Sequence, residues 1–117
     1  MTDPVNAFQA QLKADLKTAM IRRNPDDVAA LRALLAAIDN AQAVPGEEPG
    51  SGQAQRKFGD GSAEVPRRTI GINELNDLLE SEIAMRRAAF EVYQAAGHPG
   101  RASQASREAE IIRRYVG

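Results

Sequence analysis

Leu75-Asn76-Asp77-Leu78-Leu79-Glu80-Ser81-Glu82-Ile83-Ala84-Met85-Arg86-Arg87-Ala88-Ala89-Phe90-Glu91-Val92-Tyr93 decides the fold class of this chain. Leu75, Leu79, Phe90 and Tyr93 recur at helical spacing, so at about 100° per residue they form one apolar stripe. Glu82 and Arg86 fall in the middle of that stripe. Charged side chains are almost never buried unpaired, and a glutamate one turn before an arginine is the favourable order for a pair on one helix. As structure, such a pair sets helix register, with Arg32 on the flank of the second helix as a candidate third member. As function, a glutamate and an arginine on a helical surface can bind a ligand or orient a proton transfer. Arg32, Glu82 and Arg86 are therefore the candidate charged cluster.

Working outward, the remaining helices announce themselves by their start signals. Asp3 before Pro4 offers a side-chain cap with proline at the first helical position, and Val5, Phe8, Leu12, Leu16 and Met20 follow as a stripe. Asn24-Pro25-Asp26-Asp27 repeats the signal, with two carboxylates at the positive end of a helix carrying Val28, Leu31, Leu35 and Ile38. Asn73 is the expected cap of the third helix, and Gly97 stands where a left-handed residue ends it. Pro99 then opens a fourth helix with the stripe Ala105, Ala109, Ile112 and Val116. The expectation is an all-α single domain with helices over 4–23, 25–42, 73–96 and 99–116. Short connections make these two antiparallel hairpins, joined by a long Gly/Pro-rich mobile loop over 43–71.

Composition agrees with packed helices. The 117 residues are 43% hydrophobic but only 4% aromatic, so the core is built from aliphatic side chains and alanine. Fifteen basic residues against sixteen acidic ones leave a net charge of −1, unlike the strongly basic footprint of a stand-alone nucleic-acid binder. The absence of cysteine excludes disulfides, thiolate metal sites and thiol nucleophiles. Met1-Thr2-Asp3-Pro4 lacks the basic and apolar regions of a secretion signal, and the longest run without a polar residue, Ala33 to Ile38, is far too short for a membrane span. A cytoplasmic location without membrane association is expected.

No catalytic set is complete. His98 is the single histidine, so it lacks partners for a metal site and reads as a loop or capping residue. Gly50-Ser51-Gly52 and Gly59-Asp60-Gly61 precede no Lys-Ser/Thr step, and no cofactor is expected. The arginine doublets at 22–23, 67–68, 86–87 and 113–114 lie beside acidic residues. They form a tRNA-binding surface only if folding makes them converge.

Two segments resemble the GatB/YqeY-like family, small proteins related to the tail of one component of the aspartyl/glutamyl-tRNA amidotransferase. The first is Leu12-Lys13-Ala14-Asp15-Leu16-Lys17-Thr18-Ala19-Met20 with Leu31-Arg32-Ala33-Leu34-Leu35-Ala36-Ala37-Ile38-Asp39-Asn40. The second comprises Asn73-Glu74, Glu82-Ile83, Arg86, Phe90, Tyr93, Ala96-Gly97, Glu108, Ile112 and Tyr115, and together they span about 75 of the 117 residues. Departures are His98-Pro99-Gly100-Arg101, where the family usually has Arg-x-Asp-Leu, and Asn76, where an acid is usual. Typical members also continue into a second small helical domain beyond the point matching Gly117, and that domain is the part most similar to the amidotransferase tail. The resemblance implies a non-catalytic helical accessory in tRNA amidation or translation, with tRNA or a protein of that machinery as partner. Two alternatives stand beside it: carbon–nitrogen ligation with glutamine as amido donor, and a homodimeric structural protein that covers an exposed stripe of the fourth helix.

Overall fold

A computed structural model describes residues 3–43 and 68–116, and these contain four α-helices and no strand. They are α1 (Pro4–Ile21), α2 (Pro25–Ala41), α3 (Ile72–Ala95) and α4 (Pro99–Arg113). The segment 44–67, to which most of the expected loop belongs, lies outside the described residues. The helices pack mainly as α3 on α4 and α1 on α2, with α4 also lying against α2. Leu12 of α1, Leu31, Leu34 and Ile38 of α2, Leu75 and Leu79 of α3 and Ile112 of α4 are fully buried at the centre. An aliphatic core of this kind supplies the main stabilising term.

Capping chemistry explains where the helices begin. The Asp3 carboxylate accepts from the Val5 amide at 2.9 Å, and the Asn24 side chain accepts from the Asp27 amide at 3.4 Å. Each precedes a proline at the first helical position, whose missing N–H costs nothing there. The third helix departs from expectation: Gly71, not Asn73, is its cap residue, with no side-chain bond, and Asn73 lies inside the first turn. Ile70, placed by its sequence in the loop, is 1% exposed and belongs to the core. Burying Ile70 draws the chain into the helix earlier than a polar cap alone suggests. Arg68 holds the same approach, since its amide donates to the Gln42 carbonyl at 2.8 Å and its Nε to the Ala41 carbonyl at 3.3 Å. Its guanidinium also pairs with Glu74. One arginine thus satisfies the carbonyl end of α2, where a cation suits the helix dipole, and is tied to α3 through Glu74, whose carboxylate suits the positive first turn of that helix.

Two further differences concern the stripes. Met20 is 50% exposed while Ala19 is buried, because α1 has rotated its inner face by the time it ends. In α4, Ala102 and Ile111 join Ala105, Ala109 and Ile112 in the interior, and the helix stops at Arg113. Tyr115 and Val116 pack from beyond its end.

The two short connections share one construction. Each has three residues, Arg22-Arg23-Asn24 and Ala96-Gly97-His98, with proline following. The Asn24 amide donates back to Ala19 at 3.0 Å and the His98 amide to Tyr93 at 2.8 Å, both five residues earlier. The amides of Arg23 and Gly97 each reach a carbonyl three residues back. This is the Schellman pattern, which requires a left-handed residue at the first position beyond the cap. Gly97 meets the requirement freely at φ +78°, whereas Arg23 does so at φ +56° against its own Cβ. Arg23→Gly is expected to raise stability by about 0.5–1 kcal/mol, since relief of left-handed strain outweighs the extra entropy of glycine in the unfolded chain. Thermal unfolding reads this directly, and a fall in midpoint would mean that the Arg23 side chain itself holds the corner.

Candidate functional site

Glu82 and Arg86 stand one turn apart on α3 and meet with a 2.7 Å contact from Arg86 Nη1 to Glu82 Oε1. The same nitrogen donates to the Glu82 carbonyl at 3.2 Å, which bends the guanidinium back along its own helix. Its Nε then faces α4 and donates to Glu108 Oε1 at 3.2 Å. The Glu82 side chain keeps 15% of its exposure, and those of Arg86 and Glu108 keep 14%. Gln104, one turn before Glu108, donates to the other carboxylate oxygen at 3.1 Å. The result is a row of hydrogen-bonded charges across the α3–α4 seam, in which one guanidinium bridges two carboxylates and leaves a net charge of −1.

Arg32 is elsewhere. It is exposed on α2, and among the described residues no ion pair joins it to Glu82 or Arg86. Glu108 takes the position for which Arg32 is the sequence candidate. Glu108 is among the residues that carry the resemblance drawn from the sequence, but only the packing of α4 on α3 brings it to Arg86.

Beside this row lies a shallow cavity of about 380 Å³ between α3 and α4. Arg86 and Glu108 close one end and Arg101 the other, with Tyr93 alongside. The Arg101 guanidinium stands 5.9 Å from the Tyr93 ring centroid, a cation–π arrangement. His98 approaches the same ring edge-on, with centroids 6.5 Å apart, and caps α4 through its backbone position without a side-chain bond. Among the described residues, no three His, Asp or Glu side chains gather as a metal ion would need.

A second polar junction ties α1 to the chain beyond α4. The Tyr115 hydroxyl donates to Asp15 Oδ2 at 2.5 Å, and its ring meets Phe8 edge-on at 5.9 Å. Gln11 donates to the other Asp15 oxygen at 2.8 Å. Burial holds the Tyr115 phenol above its ordinary titration range, reinforced by its bond to Asp15 and by the charges of Asp15 and Asp27, and opposed by Arg114. Arg22 and Arg114, from two different doublets, line a cavity of about 250 Å³ next to this junction, together with Asp15 and Asp27. A third tie, Arg107 Nε to Asp26 Oδ2 at 2.6 Å, links α4 to the first turn of α2.

No family model matches this chain, and a search of curated proteins finds no match either. Among the described residues, no helix is long and apolar enough to cross a membrane.

Two outcomes follow from the polar junctions. Arg86→Ala leaves Glu82 and Glu108 facing one another across the seam without a cation, and is expected to cost about 3 kcal/mol, the lower end for breaking a buried pair. Arg86→Lys retains the charge but not the fork, and should lose less; urea unfolding of the three proteins orders them. For Tyr115, the folded-state titration lies above the unfolded one, so its contribution to stability is complete below about pH 10 and declines as pH rises further. The urea midpoint should therefore fall above about pH 10, and Tyr115→Phe should remove that part of the fall.

Proposed function

We propose that this protein is a non-catalytic helical module of GatB/YqeY-like type, built as two antiparallel hairpins, which acts in the cytoplasm as an accessory to tRNA amidation or translation. The observation that carries this reading is the meeting of residues that the family pattern names in separate segments. Asp15 of the first segment holds Tyr115 of the second, and Glu82, Arg86 and Glu108 of the second form one hydrogen-bonded row. These are the places where a sequence pattern dependent on this packing would be expected to specify chemistry rather than bulk.

Arginines from two separate doublets meet at one end of the fold, and this supports tRNA as the partner. Arg22 and Arg114 come together beside the Tyr115 junction, and Arg23 and Arg113 adjoin them in sequence on exposed positions. Neighbouring acids make the surface mixed in sign, so contact there is expected to be weak and strongly dependent on salt. The remaining doublet on α3 is divided, with Arg86 consumed by its carboxylates and Arg87 exposed.

The test is binding of the purified protein to bulk tRNA across a salt series. Saturable binding is expected, with log affinity falling linearly against log salt. Arg22→Glu combined with Arg114→Glu should flatten that slope by about 0.7–0.9 for each phosphate that the two arginines no longer neutralise. Absence of saturable binding at low salt would overturn tRNA as the partner. Unchanged binding by the double variant would move the contact to another surface.

A further inference from the structure

The side chains that α3 buries all lie in its first half: Leu75, Leu79 and Ile83. Beyond Ile83 the helix continues for three more turns with α4 alongside, and its outer side stays apolar. Met85 and Val92 are 55% and 65% exposed, and with Ala88 and Ala95 they recur at alternating spacings of three and four residues. That is the spacing of a seam to which another helix packs. The adjoining cavity of about 380 Å³ extends the seam inward, with Ala89 and Ala105 as a floor of small side chains that lets a further helix approach closely.

Charge along the far wall distinguishes the occupant. Arg101 at one end contacts the Tyr93 ring but pairs with no carboxylate among the described residues. Glu108 at the other end belongs to a cluster of two carboxylates and one guanidinium, which is short of one cation. They lie seven positions apart along α4, about 10.5 Å or two helical turns. An isolated amino acid is too short to span that distance. A nucleic acid matches only the Arg101 end. A helix carrying an acidic and a basic residue two turns apart, with apolar residues between them on the same face, satisfies both ends and covers Met85.

We propose that the α3–α4 groove is the docking site for an amphipathic α-helix of a partner protein, whose acidic residue pairs with Arg101 and whose basic residue, two turns away, neutralises the Glu82–Arg86–Glu108 cluster. The partner helix completes a three-helix arrangement that α3 and α4 leave open in this part of the molecule. The inference is independent of tRNA contact, which involves the opposite end of α4, and each can fail without the other.

The experiment uses the full chain and three fluorescein-labelled, stapled 15-residue helical peptides with the same leucine and alanine stripe. They differ only at two flanking positions two turns apart, carrying Glu and Lys, two Glu, or two Lys. Fluorescence anisotropy is expected to show the Glu/Lys peptide binding at least tenfold more tightly than either like-charged peptide. Arg101→Glu should transfer the preference to the Lys/Lys peptide, and Met85→Glu should abolish binding of all three. Both residues are exposed, and circular dichroism checks that the variants keep the fold of the parent. Equal affinity for the three peptides, no binding of any, or an order of preference unchanged by Arg101→Glu would overturn the proposal. So would sedimentation showing the unliganded protein to be a dimer that Met85→Glu dissociates, because a second copy of the chain would then occupy the groove.

Discussion

Arg86 reaches from the middle of α3 to two carboxylates at once, one on its own helix and one on α4, and its guanidinium has few other ways to be placed. Glu82 fixes it along the helix axis, and Glu108 fixes it across the seam. Removing a guanidinium from water is costly, and only an arrangement that supplies both acceptors offsets the cost. The register of α4 against α3 is therefore constrained at this point more tightly than alanines at Ala102, Ala105 and Ala109 constrain it. Small side chains permit close approach but tolerate sliding, whereas the fork of Arg86 does not.

The rest of the packing follows from that register. With Glu108 opposite Arg86, Arg101 arrives beside Tyr93, Arg107 faces Asp26 at the start of α2, and Tyr115 reaches Asp15 on α1. Three polar ties thus connect α4 or its extension to each of the other helices, around an interior of leucine and isoleucine. The contribution of such ties lies in selecting one arrangement from several that an aliphatic core would accept. The same register leaves the outer half of α3 bare along Met85 and Val92, so the feature that orders the fold also creates its open groove.

Much of the fold was legible because local chemistry states it. Asp3-Pro4, Asn24-Pro25 and Gly97-His98-Pro99 each encode a terminus through a hydrogen bond or a fixed φ, and those signals act within a few residues. The Glu82 and Arg86 contact was equally readable, since one helical turn decides it. Glu108 was not, because its sequence distance from Arg86 carries no geometric meaning until α4 docks. Arg32 was a reasonable candidate on the helical wheel of α2, yet its side faces solvent once Leu31 and Leu34 turn inward. The start of α3 shows the reverse failure: Asn73 offers cap chemistry, but burial of Ile70 pulls the boundary to Gly71, so a tertiary contact overrides a local preference.

The most direct test of the central claim is a double-mutant cycle on the seam, comparing unfolding free energies of the parent, Arg86→Met, Glu108→Gln and the combined variant. If the guanidinium fork sets the pairing of α3 with α4, the two substitutions couple by at least about 1 kcal/mol, and the double variant loses much less than the sum of the single ones. Additivity within about 0.3–0.5 kcal/mol would contradict the account, and would leave the alanine interface alone to determine how the helices meet.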